Sequence, residues 1–199
     1  MSPRRTLVLG GVRSGKSAWA EAEVASWAAS RAAAGAAAAG VTAQVTYLAT
    51  APDRPDDPEW ADRVAAHRAR RPAAWRTVET GDLAGALRAA GAAGMLLVDD
   101  LGNWLARTID AAAGWSDDRA GLPAVRAAMD ALVAAWRDTA GPVVLVSNEV
   151  GSGVVPATYS GRLFRDELGR LNTLLAAGAD RVVLLVAGIP MMLREREGP

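Results

Sequence analysis

Lys16 is the only lysine in a chain of 199 residues that carries 21 arginines. It stands in the stretch LGGVRSGKSAW, Leu9 to Trp19. Gly10, Gly11, Val12, Arg13, Ser14, Gly15, Lys16 and Ser17 fit the spacing G-x-x-x-x-G-K-[ST] of a phosphate-binding loop. Glycines at 10 and 15 let backbone N–H groups turn inward around a phosphate, and a helix opening near Lys16 adds the positive end of its dipole. The Lys16 ammonium would reach the β- and γ-phosphates as a point charge, and Ser17 offers a hydroxyl to Mg²⁺. A guanidinium is a planar fork that fits so tight a loop poorly. A drift from lysine to arginine would therefore be resisted at this position. The rival reading is a glycine turn with an incidental surface lysine.

Two further sites carry chemistry. Asp99 and Asp100 follow the apolar run MLLV. An acid at the C-terminal end of a strand is where phosphate-loop folds hold the metal or its water, so Asp99 joins Ser17 as a candidate for the magnesium shell. A plain strand-end acid is the alternative. The chain also has a single histidine, His67, in AAHRARRPAAW. At helical spacing Arg63, His67, Arg70 and Arg71 share one face. Guanidinium groups there would grip phosphate oxygens. Their charge also disfavours imidazolium, leaving a neutral and nucleophilic imidazole. Such a group suits attack on phosphorus. A solvated basic helix face with an ordinary histidine accounts for the same spacing.

The elements that would position these residues follow from hydrophobic patterning. Arg5–Gly10, Ala43–Ala49, Trp75–Glu79, Met95–Asp99, Pro142–Ser147 and Arg181–Val186 read as strands. Lys16 to about Ala34, Pro58 to near Pro72, Leu83–Ala90, Asn103–Ala113, Pro123–Ala140 and Tyr159–Ala177 read as helices. Several strands are apolar at consecutive positions, as in a parallel sheet covered on both faces. The alternating order predicts one three-layer α/β domain over 1–199, with a mostly parallel sheet. Apolar residues make up 51% and charged residues 22%, a globular composition. Acidic and basic residues balance at 22 each, so no global attraction to nucleic acid arises. The absence of cysteine excludes disulfides and thiolate chemistry. No signal-like or membrane-spanning stretch is read, and a cytoplasmic location is expected.

The segments GGVRSGKSAWAE, TYLAT, RVAAHRARRPAAWRTVE, LLVDDLGNWL, VVLVSNEVGSGVVP, RLFRDELGRLN and LLVAGIP occur in that order. Together they resemble the bifunctional adenosylcobinamide kinase/adenosylcobinamide-phosphate guanylyltransferase family of cobalamin biosynthesis, over roughly Leu7 to Pro190. The resemblance implies a RecA-like phosphate-loop fold and a homotrimer. It implies that the loop Gly10 to Ser17 holds GTP phosphates and that Ala49, Thr50 and Ala51 line the nucleotide site. His67 would take GMP as a covalent intermediate. Arg68, Ala69, Arg70, Arg71 and Glu79 would contact the guanine nucleotide, with Asp99 and Leu101 near it. The chain departs from the family where DCLTLWLSN is common and DDLGNWLAR stands here, so Asp100 and Gly102 are unusual. Asn148 and Glu149 follow a buried strand at the edge where ligands of open α/β sheets bind. Asn172 and Arg165 either face that edge or pair on the surface.

The reading that joins these features is an enzyme with two activities. It would phosphorylate adenosylcobinamide with ATP or GTP and Mg²⁺. It would then pass GMP from GTP through His67 to adenosylcobinamide phosphate. Two rivals use the same loop: a kinase of another small molecule with His67 incidental, and a RecA-like nucleotide-gated assembly protein. The neutral charge counts against DNA as a partner.

Overall fold

The computed structural model describes residues 4–35, 44–51, 62, 64–65, 68–69 and 71–196. Its strands are β1 (Arg5–Gly10), β2 (Val45–Ala49), β3 (Arg76–Glu79), β4 (Met95–Asp99), β5 (Val143–Asn148), β6 (Arg181–Val186) and β7 (Ile189–Glu195). Its helices are α1 (Lys16–Gly35), α2 (Leu83–Ala89), α3 (Leu101–Ala111), α4 (Leu122–Asp138) and α5 (Tyr159–Gly178). The seven strands form one sheet in the order β3-β2-β4-β5-β1-β6-β7. All neighbours are parallel except β6 and β7.

The sheet is covered on both faces. On one face Val8, Tyr47, Leu97, Val144 and Val183 pack against Ala20, Val24 and Trp27 of α1. On the other, Leu7, Leu48, Val98 and Leu145 pack against α2 to α5 through Leu87, Leu105, Met129, Trp136 and Leu171. This double burial is why β1, β4 and β5 read as continuous apolar runs. The three layers match the expected class. No helix among the described residues is long and apolar enough to cross a membrane.

Differences from the sequence expectation sit at element ends and at one edge. Helix α3 begins at Leu101, two residues before the expected Asn103, because the Asp100 carboxylate accepts a bond from Asn103 N at 2.8 Å and caps it. Strand β7 lies beyond the last expected strand, Arg181–Val186. It turns back from β6 through Ala187 (φ 52°) and Gly188 (φ 80°). That pair of left-handed residues gives a tight hairpin, yet Ala-Gly is not the usual signal for one. Every residue of β7 is exposed, which hides it from a search for buried strands. The expected helix over Pro58 to Pro72 lies largely outside the described residues. Within it Asp62, Val64, Ala65, Arg68 and Ala69 are helical.

The hairpin turn bears on the site, because Gly188 N donates to Ser14 O in the phosphate loop at 2.9 Å. A Cβ at Gly188 would meet nothing within 4 Å. The cost of Gly188→Ala is therefore backbone strain alone, about 1–2 kcal/mol for an L-residue in the left-handed region. Urea unfolding should show a lower midpoint with an unchanged slope. A midpoint equal to wild type would contradict the conformation assigned to this turn.

Candidate functional site

Strand β1 ends at Gly10 in the interior of the sheet, between β5 and β6, and α1 starts at Lys16. The loop between them is fixed by backbone constraints. A Cβ on Gly10 would lie 2.4 Å from Ser14 Oγ and 3.0 Å from Leu185 O, so only glycine fits. Arg13 (φ 56°) and Gly15 (φ 89°) are left-handed. Glu149 N donates to Gly10 O at 3.0 Å, which ties the loop to the end of β5. The Lys16 side chain is buried, and its Nζ donates to Gly11 O at 3.2 Å. The loop thus holds one ammonium among backbone amides at a helix N-terminus, an anion-binding arrangement.

The carboxylate of Asp99, at the end of β4, meets this loop. Ser17 Oγ donates to Asp99 Oδ1 at 3.1 Å, and Tyr47 Oη donates to Asp99 Oδ2 at 2.7 Å. Burial first, and the Asp99 charge next, push the Tyr47 phenol far above its ordinary pKa, so it remains a donor. A serine hydroxyl beside one carboxylate fits Mg²⁺, which binds through one or two protein oxygens, phosphates and water. No cluster of three or more His, Cys, Asp or Glu suited to a metal occurs among the described residues.

Asp100 follows through a cis peptide bond. Besides capping α3, its Oδ2 accepts from Asn148 Nδ2 at 3.4 Å. Its backbone carbonyl accepts from Thr50 Oγ1 at 2.6 Å, and Thr50 O accepts from Arg107 Nη1 at 3.2 Å. Burial first and then the Asp99 charge raise the Asp100 pKa, against the lowering effect of its bonds to Asn103 and Asn148 and of the Lys16 charge.

Ala49, Thr50 and Ala51 close β2, and Glu79 closes β3, at the same edge of the sheet. Arg68 pairs with Glu79 at 2.7 Å, with both side chains about 60% exposed. An ion pair so exposed contributes about 0–1 kcal/mol, so a ligand can displace it. Ala69 is exposed beside it. The Arg71 guanidinium lies over the Tyr47 ring, 3.3 Å from its centroid, and Nη1 donates to Thr77 Oγ1 at 3.4 Å. His67, Arg63 and Arg70 lie outside the described residues.

Most expected site residues therefore gather at the C-terminal edge of β1 to β4. Leu101 is the exception: its side chain is fully buried in the core, so it offers a nucleotide only backbone. Asn172 and Arg165, left open by the sequence, are braces. Asn172 accepts from Ser147 Oγ at 2.6 Å and donates to Asn148 O at 3.1 Å, while Arg165 Nη2 donates to Gly151 O at 2.7 Å. Sequence reasoning missed Tyr47 and Gly188. A tyrosine in a buried strand needs a polar partner for its hydroxyl, and that need was the available signal.

Lys16→Arg should weaken GTP binding by about tenfold or more, ~1.4 kcal/mol, in an equilibrium titration. Affinity within twofold of wild type would remove the claim for a point charge in the loop. Asp100→Asn tests the buried carboxylate. An acid whose folded pKa is raised favours folding below its unfolded value near 3.8, and that contribution is lost as pH rises through the folded pKa. The amide keeps the cap and carries no charge to bury. The variant should melt higher than wild type at pH 7.5, with the gap closing toward pH 4. A gap that widens on acidification would refute this.

Residues 6–193 match the family described as cobinamide kinase / cobinamide phosphate guanyltransferase. The bifunctional adenosylcobalamin biosynthesis protein CobP of Pseudomonas aeruginosa is 42% identical over 192 residues, 96% of this chain and 97% of that one. The corresponding protein CobU of Salmonella typhimurium is 36% identical, and that of Escherichia coli 35%, each over 94% of this chain and 98% of theirs. Among solved structures, the ATPase domain of G40P superposes with a TM-score of 0.54 at 11% identity, over all of this chain and 80% of that one. That likeness concerns the fold and agrees with the RecA-like phosphate-loop class. With a match that runs from β1 into β7 and relatives alike over their whole length, the chain belongs to the cobinamide kinase / cobinamide phosphate guanyltransferase family.

Proposed function

We propose that this chain performs both reactions for which its family is named, in adenosylcobalamin biosynthesis. The observation that carries the reading is the meeting of Lys16, Ser17 and Asp99 at the end of β1 and β4, on a chain that matches the family from residue 6 to 193. In the first reaction the loop amides and Lys16 hold the triphosphate of ATP or GTP. Mg²⁺ at Ser17 and Asp99 would supply charge neutralisation of the β- and γ-oxygens. Lys16 stabilises the γ-phosphoryl as it passes to the hydroxyl of adenosylcobinamide. Catalysis here is positioning and electrostatics, for which a preorganised loop suffices.

In the second reaction a His67 nitrogen forms a bond to the α-phosphorus of GTP, and pyrophosphate leaves. A phosphate oxygen of adenosylcobinamide phosphate then attacks that phosphorus. The N–P bond breaks, adenosylcobinamide-GDP forms, and the imidazole is free again. Two displacements replace one difficult step. Arg68, Ala69, Arg70, Arg71 and Glu79 surround the guanine nucleotide in this reading, and the displaceable Arg68–Glu79 pair supports it. The reading includes a cytoplasmic homotrimer that binds no nucleic acid. Balanced charge supports the last point. The exposed Ile189, Met191, Met192 and Leu193 on β7 support burial of that strand between copies.

The test is covalent labelling with α-labelled GTP, followed by a denaturing gel. Wild type should carry an acid-labile, alkali-stable label with GTP and much less with ATP. His67→Ala should carry none and make no adenosylcobinamide-GDP, while its kinase step persists. No other histidine and no cysteine can substitute, and Lys16 is the one other lysine-type nitrogen. Unlabelled wild type that still makes adenosylcobinamide-GDP would mean direct transfer, and the two-step mechanism would fall.

A further inference from the structure

Helix α5 is longer than the strand it follows. Asn172 bonds to Ser147 Oγ and to Asn148 O, so it stands level with the C-terminal end of β5. From Asn172 back to the cap Thr158 the helix measures about 20 Å, at about 1.5 Å per residue. Its N-terminal turns therefore run on past the edge of the sheet that holds the phosphate loop. There Trp115, in the turn between α3 and α4, and Phe164 of α5 pack on the core yet are only partly buried. Together with Thr158, Ser160 and Gly161 they line an open cleft of about 530 Å³, a size that holds a small-molecule ligand. The indole N–H of Trp115 is taken by Asp110, which leaves its ring for apolar contact. The hydroxyls of Thr158 and Ser160 lie 3.4 Å apart. The segment between β5 and α5 links this cleft to the phosphate loop. Glu149 N holds Gly10 O, Arg165 of α5 holds Gly151 O, and Arg162 holds Ala157 O at 2.7 Å. Between these ties Val154 and Val155 are 95% and 62% exposed, an apolar tip on a braced loop.

We propose that the cleft between Trp115 and the first turns of α5 is the acceptor site, and that it seats the macrocycle of the corrinoid in both reactions. This rests on the two-reaction reading above. The acceptor is a wide ring edged with methyl and amide groups. Lys16, Ser17 and Asp99 suit phosphates and a cation, and none of them suits such a ring. The cleft offers two aromatic side chains for its apolar groups and two hydroxyls for its amides, the mixture found in small-molecule sites. The reacting hydroxyl, which becomes the reacting phosphate, lies at the end of the acceptor's flexible aminopropanol arm. A ring seated along α5, rather than on the phosphate loop, leaves room for that arm to reach the transferred phosphorus. One seat then serves both steps, because the ring is the same in adenosylcobinamide and in its phosphate.

Equilibrium dialysis against adenosylcobinamide, with a non-hydrolysable ATP analogue present, reads the acceptor site. A fluorescent GTP analogue reads the nucleotide site of the same chains. Ser160→Trp fills the cleft from its rim, and Phe164→Ala removes one of its two aromatic side chains. Each should weaken adenosylcobinamide binding by about tenfold or more, ~1.4 kcal/mol, and raise its KM in the kinase step in proportion. Affinity for the GTP analogue should stay within about twofold of wild type, a ratio on the order of 0.4 kcal/mol. Ser160 lies outside the core, so its variant decides the matter even where Phe164→Ala fails to fold. Unchanged acceptor affinity in Ser160→Trp overturns the proposal. So does a fall in nucleotide affinity that matches the fall in acceptor affinity, since the substitution then acts on the fold. A Ser160→Trp chain whose sedimentation changes while it still binds the acceptor marks the cleft as a contact between copies, and that also overturns it. Wild type that binds no adenosylcobinamide would sink the two-reaction reading itself, and the cleft's occupant with it.

Discussion

The C-terminal edge of the sheet is organised around one carboxylate. Asp99 ends β4, and its two oxygens accept from Ser17 at the start of α1 and from Tyr47 in β2. Ser17 is fixed by the phosphate loop, and that loop is fixed by three separate facts. Gly10 leaves no room for a Cβ, Glu149 N holds Gly10 O, and Gly188 N holds Ser14 O. Removing any of these lets the hydroxyl drift from the acid. A half-buried carboxylate bonded at 3.1 and 2.7 Å makes demands on its neighbours, because a buried partner left unpaired costs about 1–3 kcal/mol. The demand acts in both directions. Asp99 holds the loop against β2, and the loop gives Asp99 a use.

Next to it, Asp100 ties the start of α3 to the end of β5. Its carboxylate caps α3 through Asn103 N and also accepts from Asn148 Nδ2. A Cβ at position 102 would stand 2.7 Å from that same Nδ2 and 3.3 Å from Asp100 Oδ1. Asp100 and Gly102 are two of the five positions at which DDLGNWLAR departs from the pattern DCLTLWLSN of the resemblance. They form one unit with Asn148: the acid draws the amide in, and the glycine leaves it space. Asn148 in turn is fixed from behind, since Asn172 holds its carbonyl. The sequence shows two isolated oddities where the structure shows a single contact.

What was legible depended on whether the signal was local. The phosphate loop is eight consecutive residues, and its strand and helix flank it directly, so pattern and position agreed. Buried strands β1, β4 and β5 announce themselves by runs of apolar residues, because both faces are covered. Strand β7 is exposed throughout and follows an Ala-Gly turn, so neither burial nor turn chemistry marked it. Tyr47 could be placed in a strand, but its meaning lies in Asp99 and Arg71, 52 and 24 positions away. Leu101, placed near the nucleotide by the resemblance, has a side chain that the first turn of a capped helix directs into the core, which its position beside Asp99 did not reveal.

The distribution of the two chemistries over the sheet has a physical consequence. The loop and Asp99 belong to β1 and β4, which lie inside the sheet and are buried on both faces. Arg68 and Arg71 bond to Glu79 and Thr77 of β3, an edge strand with mostly exposed residues. Phosphoryl transfer needs a rigid electrostatic cradle, which a central strand provides. The proposed nucleophile, which would bond to phosphorus and then release it to a second, large substrate, would need access from outside. An edge strand offers that at the expense of rigidity. A weak, solvent-screened pair such as Arg68–Glu79 suits that edge, because it can open for a nucleotide at little cost. What keeps the edge in register with the centre is β2 between them. In that strand Tyr47 carries Arg71 on the face of its buried ring and donates to the central carboxylate through its hydroxyl.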